Sequence, residues 1–286
     1  MTLAAIILDM DGTLLNEQQQ ISEETRKSLI AAQQQGMQLV LASGRPTKAM
    51  FAYAAELQMD RYDGLLVSYN GSKVTDYATK AVLFDETIAV PTAKAVLEHL
   101  KQFDVKVMIE RGDYIYVNDV YNQAIQHEGT TYNVFEHEAR SGDYRLCEAP
   151  DLAVMLDFDL NKIVVAAEQA YLLAHHEAIY APFKESLNAM FTAPFYFEFT
   201  AQHIDKAAAL AAVLEPRGIT PAQMVAFGDG LNDVSMLTYV GTGVAMGNAV
   251  AELKEIATTV TKSNNEDGIA QMLLSLLACD MKNKGQ

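Results

Sequence analysis

The first eighty residues alternate between short apolar segments and polar, helix-forming segments, and this alternation limits the fold more than any other feature. Residues 4–8 are a continuous apolar run of the length of one buried strand, and we predict the second and third strands over 37–42 and 65–69. The segment after the first run opens with Ser22 and two acids, which is typical of a helix N-terminus, and Gly36 is placed to end that helix. The order strand, helix, strand, helix, strand predicts a doubly wound parallel sheet.

The pattern changes after about residue 85 and returns near residue 206. Between these points we predict a helix over 91–103 and paired strands, which indicate an α+β module. The predicted strands of this part are residues 105–109, 114–117, 152–156, 163–166 and 195–199. From Lys206 the α/β alternation resumes, with strands over 224–227, 243–246 and 258–260. We therefore predict a Rossmann-like, mostly parallel core over 1–85 and 199–286, interrupted by an α+β cap over 86–198.

Composition excludes several classes of protein. The chain has 21 basic and 37 acidic residues and a net charge of −16, so a nucleic-acid partner is not expected. Its two cysteines, Cys147 and Cys279, exclude a disulfide framework and a cysteine-rich zinc site, and reduced cytosol is the expected compartment. No apolar stretch reaches the ~18 residues that a membrane-spanning helix needs, and no secretion signal is expected.

Carboxylates follow the first apolar run directly, in the segment Asp9-Met10-Asp11-Gly12-Thr13. Ligands of open α/β sheets bind at the carboxyl ends of the strands, which is where this segment falls. Two carboxylates spaced i, i+2 can converge on one cation, and oxygen ligands favour Mg²⁺. An acidic loop that closes a strand would explain Asp-x-Asp alone, but the full segment after an apolar strand is more specific.

Three further segments stand at comparable places. Gly228-Asp229-Gly230-Leu231-Asn232-Asp233 follows the strand over 224–227, Ser43-Gly44-Arg45 follows the second strand, and Lys206 opens the helix that re-enters the core. Taken singly, each also fits a structural explanation: a glycine-rich turn with a helix cap, a strand-to-helix turn, and a solvated surface lysine. Their coincidence on one sheet favours Mg²⁺-assisted phosphoryl transfer, which uses a carboxylate nucleophile, a metal and phosphate donors.

These segments resemble the motifs of the haloacid-dehalogenase-like superfamily of phosphohydrolases, in particular its Cof-type sugar-phosphatase branch. The resemblance covers essentially the whole chain. The matching stretches are Asp9-Met10-Asp11-Gly12-Thr13-Leu14, Ser43-Gly44-Arg45-Pro46, Asn70-Gly71, Lys206, residues 228–233 with Met236-Leu237, and residues 264–270. The α+β module corresponds to the cap of that family, which implies that it sets substrate specificity.

The resemblance also implies a role for each site residue. Asp9 would be the nucleophile and Asp11 the general acid and base. Mg²⁺ would be held by Asp9, the backbone carbonyl of Asp11 and Asp229, with Asp233 close behind. The residues implied in phosphate binding are Met10 through its amide, Ser43, Gly44, Lys206 and Asn232.

We therefore expect a cytoplasmic, Mg²⁺-dependent phosphatase that hydrolyses phosphomonoesters of small metabolites, such as sugar phosphates, through an aspartyl-phosphate. Two alternatives stay open. A phosphomutase or phosphotransferase would use the same aspartate but keep water away from the phosphorylated enzyme. A non-catalytic binding module on this scaffold commonly loses a nucleophile or a metal ligand, whereas Asp9, Asp11, Lys206 and Asp229 are all present.

Overall fold

The computed structural model describes residues 3–127 and 129–284 of the chain. Their contacts divide the chain into two compact units. The first, called the core, comprises Met1–Phe84 and Asp205–Gln286, and the second, called the insert, comprises Asp85–Ile204. No helix among the described residues is long and apolar enough to cross a membrane.

The first part of the core contains the alternation that the sequence predicts, followed by two further strands. Its elements are β1 (Ala5–Leu8), α1 (Glu23–Gln34), β2 (Gln38–Ala42), α2 (Phe51–Glu56), β3 (Leu65–Ser68), β4 (Lys73–Asp76) and β5 (Val82–Asp85). Helix α1 begins as expected, because the Ser22 hydroxyl accepts a hydrogen bond from the Thr25 amide. Gly36 follows the helix with a φ of 90°, a conformation that favours glycine.

The insert mixes helices and strands. Its elements are α3 (Val90–Leu100), β6 (Lys106–Arg111), β7 (Tyr114–Val117), β8 (Ala124–His127), β9 (Thr130–Asn133), α4 (Val134–Ser141), β10 (Arg145–Glu148), α5 (Leu152–Met155), β11 (Ile163–Ala166), α6 (Gln169–Tyr180), β12 (Leu187–Ala193) and β13 (Tyr196–Ala201). Six strands form a sheet in the order β10-β7-β6-β11-β13-β12, and β8 pairs with β9 separately. Every pair in the six-stranded sheet is antiparallel except β10 with β7.

One predicted strand of the insert is wrong. Residues 152–156 include helix α5 instead, with Asp151 at its N-cap accepting hydrogen bonds from the amides of Ala153 and Val154. The return to the core also lies later than the predicted 198/199 boundary, between Ile204 and Asp205. The reason is β13, which continues to Ala201 and pairs with β11 and β12 of the insert sheet.

The chain re-enters the core and completes its sheet. The remaining elements are α7 (Lys206–Leu214), β14 (Met224–Gly228), α8 (Val234–Tyr239), β15 (Thr242–Ala245), α9 (Ala251–Ile256), β16 (Thr259–Val260) and α10 (Gly268–Lys284). The sheet has the order β16-β15-β14-β1-β2-β3-β4-β5. It is parallel from β16 to β3, and β4 runs antiparallel to β3. The core is thus a doubly wound, Rossmann-like α/β domain interrupted by an α+β insert.

The hydrophobic residues of the core strands explain why this sheet is central. Every residue of β1 and β14 is buried, as expected for strands covered by helices on both faces. The strands β14, β1 and β2 lie side by side, with Leu8 aligned to Phe227 on one side and to Leu41 on the other. The residues that follow these three strands therefore meet at one edge of the sheet.

Candidate active site

The centre of this edge is a buried lysine placed between two carboxylates. Lys206 begins α7, and its side chain is fully buried. Its Nζ lies 2.7 Å from Oδ1 of Asp9, which follows β1, and 2.6 Å from Oδ1 of Asp233, which lies beyond β14. The structural explanation of Lys206 as a solvated surface residue is therefore wrong.

The charge of Lys206 is maintained by its neighbours. Burial alone would lower the pKa of Lys206, but the negative charges of Asp233 and Asp9 outweigh it and raise that pKa above its ordinary value. The start of α7 is fixed by Asp205, whose carboxylate accepts a hydrogen bond from the Ala208 amide. The helix cap thus holds the backbone of a lysine that stays protonated.

Asp233 has both carboxylate oxygens engaged. Oδ1 accepts a hydrogen bond from Lys206, and Oδ2 accepts hydrogen bonds from the backbone amides of Asp229 and Gly230 at 3.0 and 3.1 Å. The Asp233 side chain therefore holds the backbone of the loop after β14 and also orients the ammonium group of Lys206. In this arrangement Asp233 joins the lysine to the loop that carries Asp229.

Three carboxylates surround this point and could hold a metal ion. Asp9, Asp229 and Asp233 each offer an oxygen, and these oxygens lie within 4.8 Å of one another. The Thr13 hydroxyl donates a hydrogen bond of 2.9 Å to Oδ1 of Asp229 and so fixes its orientation. A set of carboxylate oxygens fits a hard divalent cation, for which oxygen is the preferred donor.

The electrostatics of these carboxylates also fit a cation. Burial, reinforced by the negative charge of Asp233, raises the pKa of Asp9 well above its ordinary value, although Lys206 opposes the shift. Burial raises the pKa of Asp229 to about 6, with the hydrogen bond from Thr13 acting in the opposite direction. Three carboxylates face a single ammonium group, so a bound cation would offset the charge that these shifts reflect.

Gly12 allows Asp229 to approach the first motif. Its φ is +79°, and a Cβ atom at this position would lie 2.3 Å from Oδ2 of Asp229. Any other residue would be strained at this φ and would displace that carboxylate. The glycine of the first motif thus makes room for the acid of the last one.

The structure turns the carboxylate of Asp11 away from the acidic cluster and towards Arg45. The guanidinium donates two hydrogen bonds to it, from Nε at 2.7 Å and from Nη2 at 2.6 Å. The same Nη2 contacts Oε1 of Gln19 at 2.6 Å, and the guanidinium lies over the ring of Tyr53. The side chain of Asp11 stays half exposed, which leaves it accessible to a substrate or to water.

The other predicted phosphate-binding residues lie on the segments that follow β1, β2 and β14. Ser43 is buried after β2, and its hydroxyl oxygen accepts a hydrogen bond from the Arg45 amide, so its own proton remains available to an anion. Gly44 follows it. The side chain of Met10 is fully buried, so this residue can offer only its backbone to a ligand. Asn232 is exposed in the middle of the short turn Leu231–Asp233 before α8.

Sequence reasoning missed several residues that shape the site. Asn70 accepts a hydrogen bond from Nδ2 of Asn232 through its own Oδ1, at 3.1 Å. Asn248 donates to the carbonyl of Gly12, and Asn264 donates to the carbonyl of Leu15. A motif match points to residues 70 and 264 but gives them no role, and their partners are far away in the sequence.

Comparison with known proteins identifies the family of the chain. Residues 6–273 match the model of a family described as haloacid dehalogenase-like hydrolases. A curated relative is the 5-amino-6-(5-phospho-D-ribitylamino)uracil phosphatase YcsE of Bacillus subtilis, 30% identical over 270 residues, which cover 94% of this chain and 93% of the relative. Another is the pyridoxal phosphate phosphatase YbhA of Escherichia coli, 28% identical over 284 residues, with 97% and 100% covered.

A solved structure resembles the whole chain. It is a haloacid dehalogenase-like hydrolase from Bacteroides thetaiotaomicron, with a TM-score of 0.87 and 29% sequence identity. The match covers 96% of this chain and 100% of that one. The similarity therefore extends over both the core and the insert.

Proposed function

The chain belongs to the haloacid dehalogenase-like hydrolase family, and on this premise we propose that Asp9 is the nucleophile of a Mg²⁺-dependent phosphatase that acts on small phosphorylated metabolites. The chain is an enzyme of the phosphatase class, as its curated relatives are. The observation that carries the proposal is the buried contact of Lys206 with Asp9 and Asp233 beside Asp229. A buried cation beside a strand-end carboxylate suits the binding of a phosphoryl dianion.

Each group at the site has a distinct task. Asp9 attacks the phosphorus atom while the ester oxygen leaves and takes a proton from Asp11, which produces an aspartyl-phosphate and the free alcohol. Asp11 then takes a proton from water, the water oxygen attacks phosphorus, and inorganic phosphate leaves as the Asp9 carboxylate is restored. Lys206 stabilises the negative charge of the transferring group in both steps.

Mg²⁺ would be held by Asp9, Asp229 and the backbone carbonyl of Asp11, with Asp233 behind them. When bound, it supplies positive charge that offsets the repulsion between the nucleophile and the phosphoryl group. The raised pKa values of Asp9 and Asp229 support this assignment, since the nucleophile must be ionised to attack. The amide of Met10 together with Ser43, Gly44 and Asn232 would complete the phosphate site.

In this proposal the insert recognises the leaving group of the substrate. All the residues assigned to the reaction lie in the core, and the insert has its own sheet and its own hydrophobic clusters. A separate unit without reacting groups can change its binding contribution without altering the chemistry. We therefore assign substrate selection to the insert. The cytoplasmic location inferred from the cysteine content is part of the same proposal.

A screen for phosphate release tests the function. The purified protein is incubated with a panel of phosphorylated metabolites, with and without Mg²⁺, and inorganic phosphate is measured. The panel includes sugar phosphates, pyridoxal phosphate and a phosphorylated ribitylaminouracil, since two relatives are named for the last two compounds. We expect release that requires a divalent metal. Phosphoryl transfer to another alcohol without phosphate release would identify a phosphotransferase, and full activity after exhaustive chelation would refute the metal requirement.

A further inference from the structure

The turn after β3 is the most unusual backbone segment near the site. Tyr69, Asn70 and Gly71 have φ values of 53°, 55° and 107°, so three successive residues lie in the left-handed region. This conformation is uncommon for residues other than glycine and carries a cost that surrounding contacts must overcome. A run of this kind calls for a physical reason.

The backbone of this turn, called the β3 turn (residues 69–71), packs against two of the segments that carry the site. The Asn70 amide donates to the carbonyl of Ser43 at 2.9 Å, and the Tyr69 amide donates to the carbonyl of Arg45 at 3.1 Å. On the other side, a Cβ atom on Gly71 would lie 2.2 Å from the carbonyl oxygen of Asp205. The β3 turn therefore fits between the Ser43 loop and the N-terminus of the helix that begins with Lys206.

The side chain of Asn70 reaches a third segment. Its Oδ1 accepts the hydrogen bond from Nδ2 of Asn232, and the residue is only 4% exposed. Its Nδ2 lies on the side of Gly44, 3.0 Å from where a Cβ of that glycine would be. Among the residues that the structure describes, Nδ2 of Asn70 has no acceptor. This nitrogen is not one of the fully enclosed side-chain atoms that lack a partner, so solvent or a ligand can reach it, and its two N–H groups are free to donate.

We propose that Asn70 is a phosphate-binding residue, with its Nδ2 group donating a hydrogen bond to an oxygen of the phosphoryl group. The inference rests on the proposed function, because it needs the phosphate site around Lys206. Three of the residues assigned to that site, Ser43, Gly44 and Asn232, contact Asn70 or lie directly against it. The contact with Asn232 occupies the oxygen of this amide and leaves its nitrogen, which lies 3.0 Å from a Cβ placed on Gly44, for another partner.

This role explains why residue 70 has a left-handed backbone conformation. A residue at position 70 must hold a positive φ and also carry a hydrogen-bond donor on a short side chain. Glycine supplies the first property only, whereas asparagine supplies both, since it tolerates the left-handed region better than most residues. The β3 turn thus places an uncharged donor beside a buried lysine, where a further positive group would have to be desolvated.

Two substitutions at this position separate phosphate binding from support of Asn232. Asn70→Asp keeps the shape, the tolerance for a positive φ and the acceptor for Asn232, but it replaces the donor by a negative charge. Asn70→Gly keeps the backbone and removes the whole side chain. The measurement is the inhibition constant of inorganic phosphate, together with kcat/KM on several esters, in the Mg²⁺-loaded full-length enzyme.

We expect Asn70→Gly to raise the phosphate inhibition constant by about 10- to 100-fold, the usual value of one hydrogen bond to a charged group. Asn70→Asp should raise it further, because a carboxylate repels the anion. The loss in kcat/KM should be similar for every ester, since the phosphoryl group is common to all. A purely structural role through Asn232 predicts the opposite order, with Asn70→Asp close to the wild type.

Gln58→Gly is the matched control. Gln58 also has a positive φ, of 55°, but it lies between α2 and β3, and its described side-chain contact is with Arg61. This variant should leave the phosphate inhibition constant unchanged. Wild-type phosphate affinity in both Asn70 variants would overturn the inference, as would an equal loss in Gln58→Gly. A wild-type enzyme without phosphatase activity would instead refute the proposed function, so the two failures are distinguishable.

Discussion

Lys206 in the core and Lys162 in the insert are both buried beside carboxylates, but their surroundings differ. Nζ of Lys162 lies 3.0 Å from Oε1 of Glu198, its one direct carboxylate partner in the described structure. Lys206 lies between Asp9 and Asp233, with Asp229 close by. In both cases, burial would lower the pKa of the lysine, and the neighbouring carboxylates raise it instead.

The difference lies in the balance of charge. In the insert, one ammonium group faces one carboxylate at contact distance, so the two charges balance. In the core, one ammonium faces three carboxylates, and the pKa values of Asp9 and Asp229 rise as a result of burial and mutual repulsion. A protein does not hold this excess of buried negative charge for stability alone, because desolvated carboxylates are costly. The excess of negative charge suits a cation site, as proposed above, whereas the balanced pair suits a structural contact.

The largest expected effect on turnover comes from replacing a carboxylate beside one of the two buried lysines by the amide of the same shape. Asp9→Asn removes the proposed nucleophile and should lower turnover by about 10⁵ or more. Its melting temperature should stay the same or rise, since a buried carboxylate with a raised pKa is replaced by a neutral group. Steady-state phosphate release and thermal unfolding are the measurements.

Glu198→Gln is the matched control in the insert. It should retain turnover but lose about 3–5 kcal/mol of unfolding free energy, because Lys162 is left without its partner. Wild-type turnover in Asp9→Asn would refute the covalent mechanism. Loss of turnover in Glu198→Gln would show that the Lys162–Glu198 pair is not purely structural.

A smaller effect is expected at the exposed carboxylate of the core. Asp11→Asn removes the proposed general acid and base and should slow turnover by roughly 10²–10⁴. Its backbone carbonyl remains, so Mg²⁺ affinity should fall less than in Asp229→Ala, as calorimetric titration can measure. The reverse order of metal affinities would show that the two acids have been assigned the wrong roles.

The two lysines give the next comparison. Lys206→Met should lower turnover on every substrate by a similar factor of about 10²–10³, because it removes charge stabilisation from the group that all substrates share. Lys162→Met should lower unfolding free energy by about 3–5 kcal/mol and leave kcat nearly unchanged. A Lys162→Met enzyme that loses some substrates and keeps others would give the insert lysine a role in recognition.

The smallest expected effect is on stability without metal. The pKa of Asp229 is about 6 in the folded protein, against an ordinary value of 3.8. A carboxyl group whose folded pKa is raised destabilises the fold once it ionises, so its cost is absent below about pH 4 and complete above about pH 6. Asp229→Asn avoids this cost and keeps an acceptor for Thr13.

In chelator, the stability of Asp229→Asn relative to the wild type should therefore increase between pH 4 and 7, by about 2–3 kcal/mol at most. Mg²⁺ should raise the melting temperature of the wild type more at pH 7 than at pH 5. Denaturant unfolding at a series of pH values measures the first effect. If the difference in unfolding free energy between Asp229→Asn and the wild type does not vary with pH, the cost does not come from the ionisation of Asp229.

The parts of the fold that local patterns encode were predictable. The strand β1 is a continuous apolar run, β2 and β3 are apolar except for one terminal residue each, and the N-cap of α1 is a local signal. The run over residues 152–156 is also apolar, and hydrophobic periodicity cannot distinguish a short strand from a short helix. The deciding contact is the Asp151 cap, which the sequence shows only as an acid before the run. The strand β4 was missed because its polar residues hide the pattern, and β5 was missed because it is a segment of only four residues at the end of the sheet.

The site was predictable where a motif names the residue and unpredictable where a distant partner defines its task. The motifs indicate Asp9, Lys206 and Asp233, and the structure brings them into contact. The pairing of Asp11 with Arg45 depends on the close approach of two strand ends, and no local signal encodes it. The donor on Asn70 depends on a left-handed backbone, which a sequence reader sees only as an ordinary Asn-Gly turn.

The adjacency of β1 and β14 has a consequence for how the protein is made. Ala5 pairs with Met224, and the hydrogen bond from Thr13 to Asp229 joins residues separated by 216 positions. At ~5–20 residues per second, the ribosome needs roughly ten to forty seconds to cover that separation. During this interval the insert can fold on its own sheet, whereas one edge of β1 has no partner strand and is open to misassociation. A nascent chain that stalls before β14 lacks both Asp229 and Asp233, so the proposed active site assembles only late in synthesis.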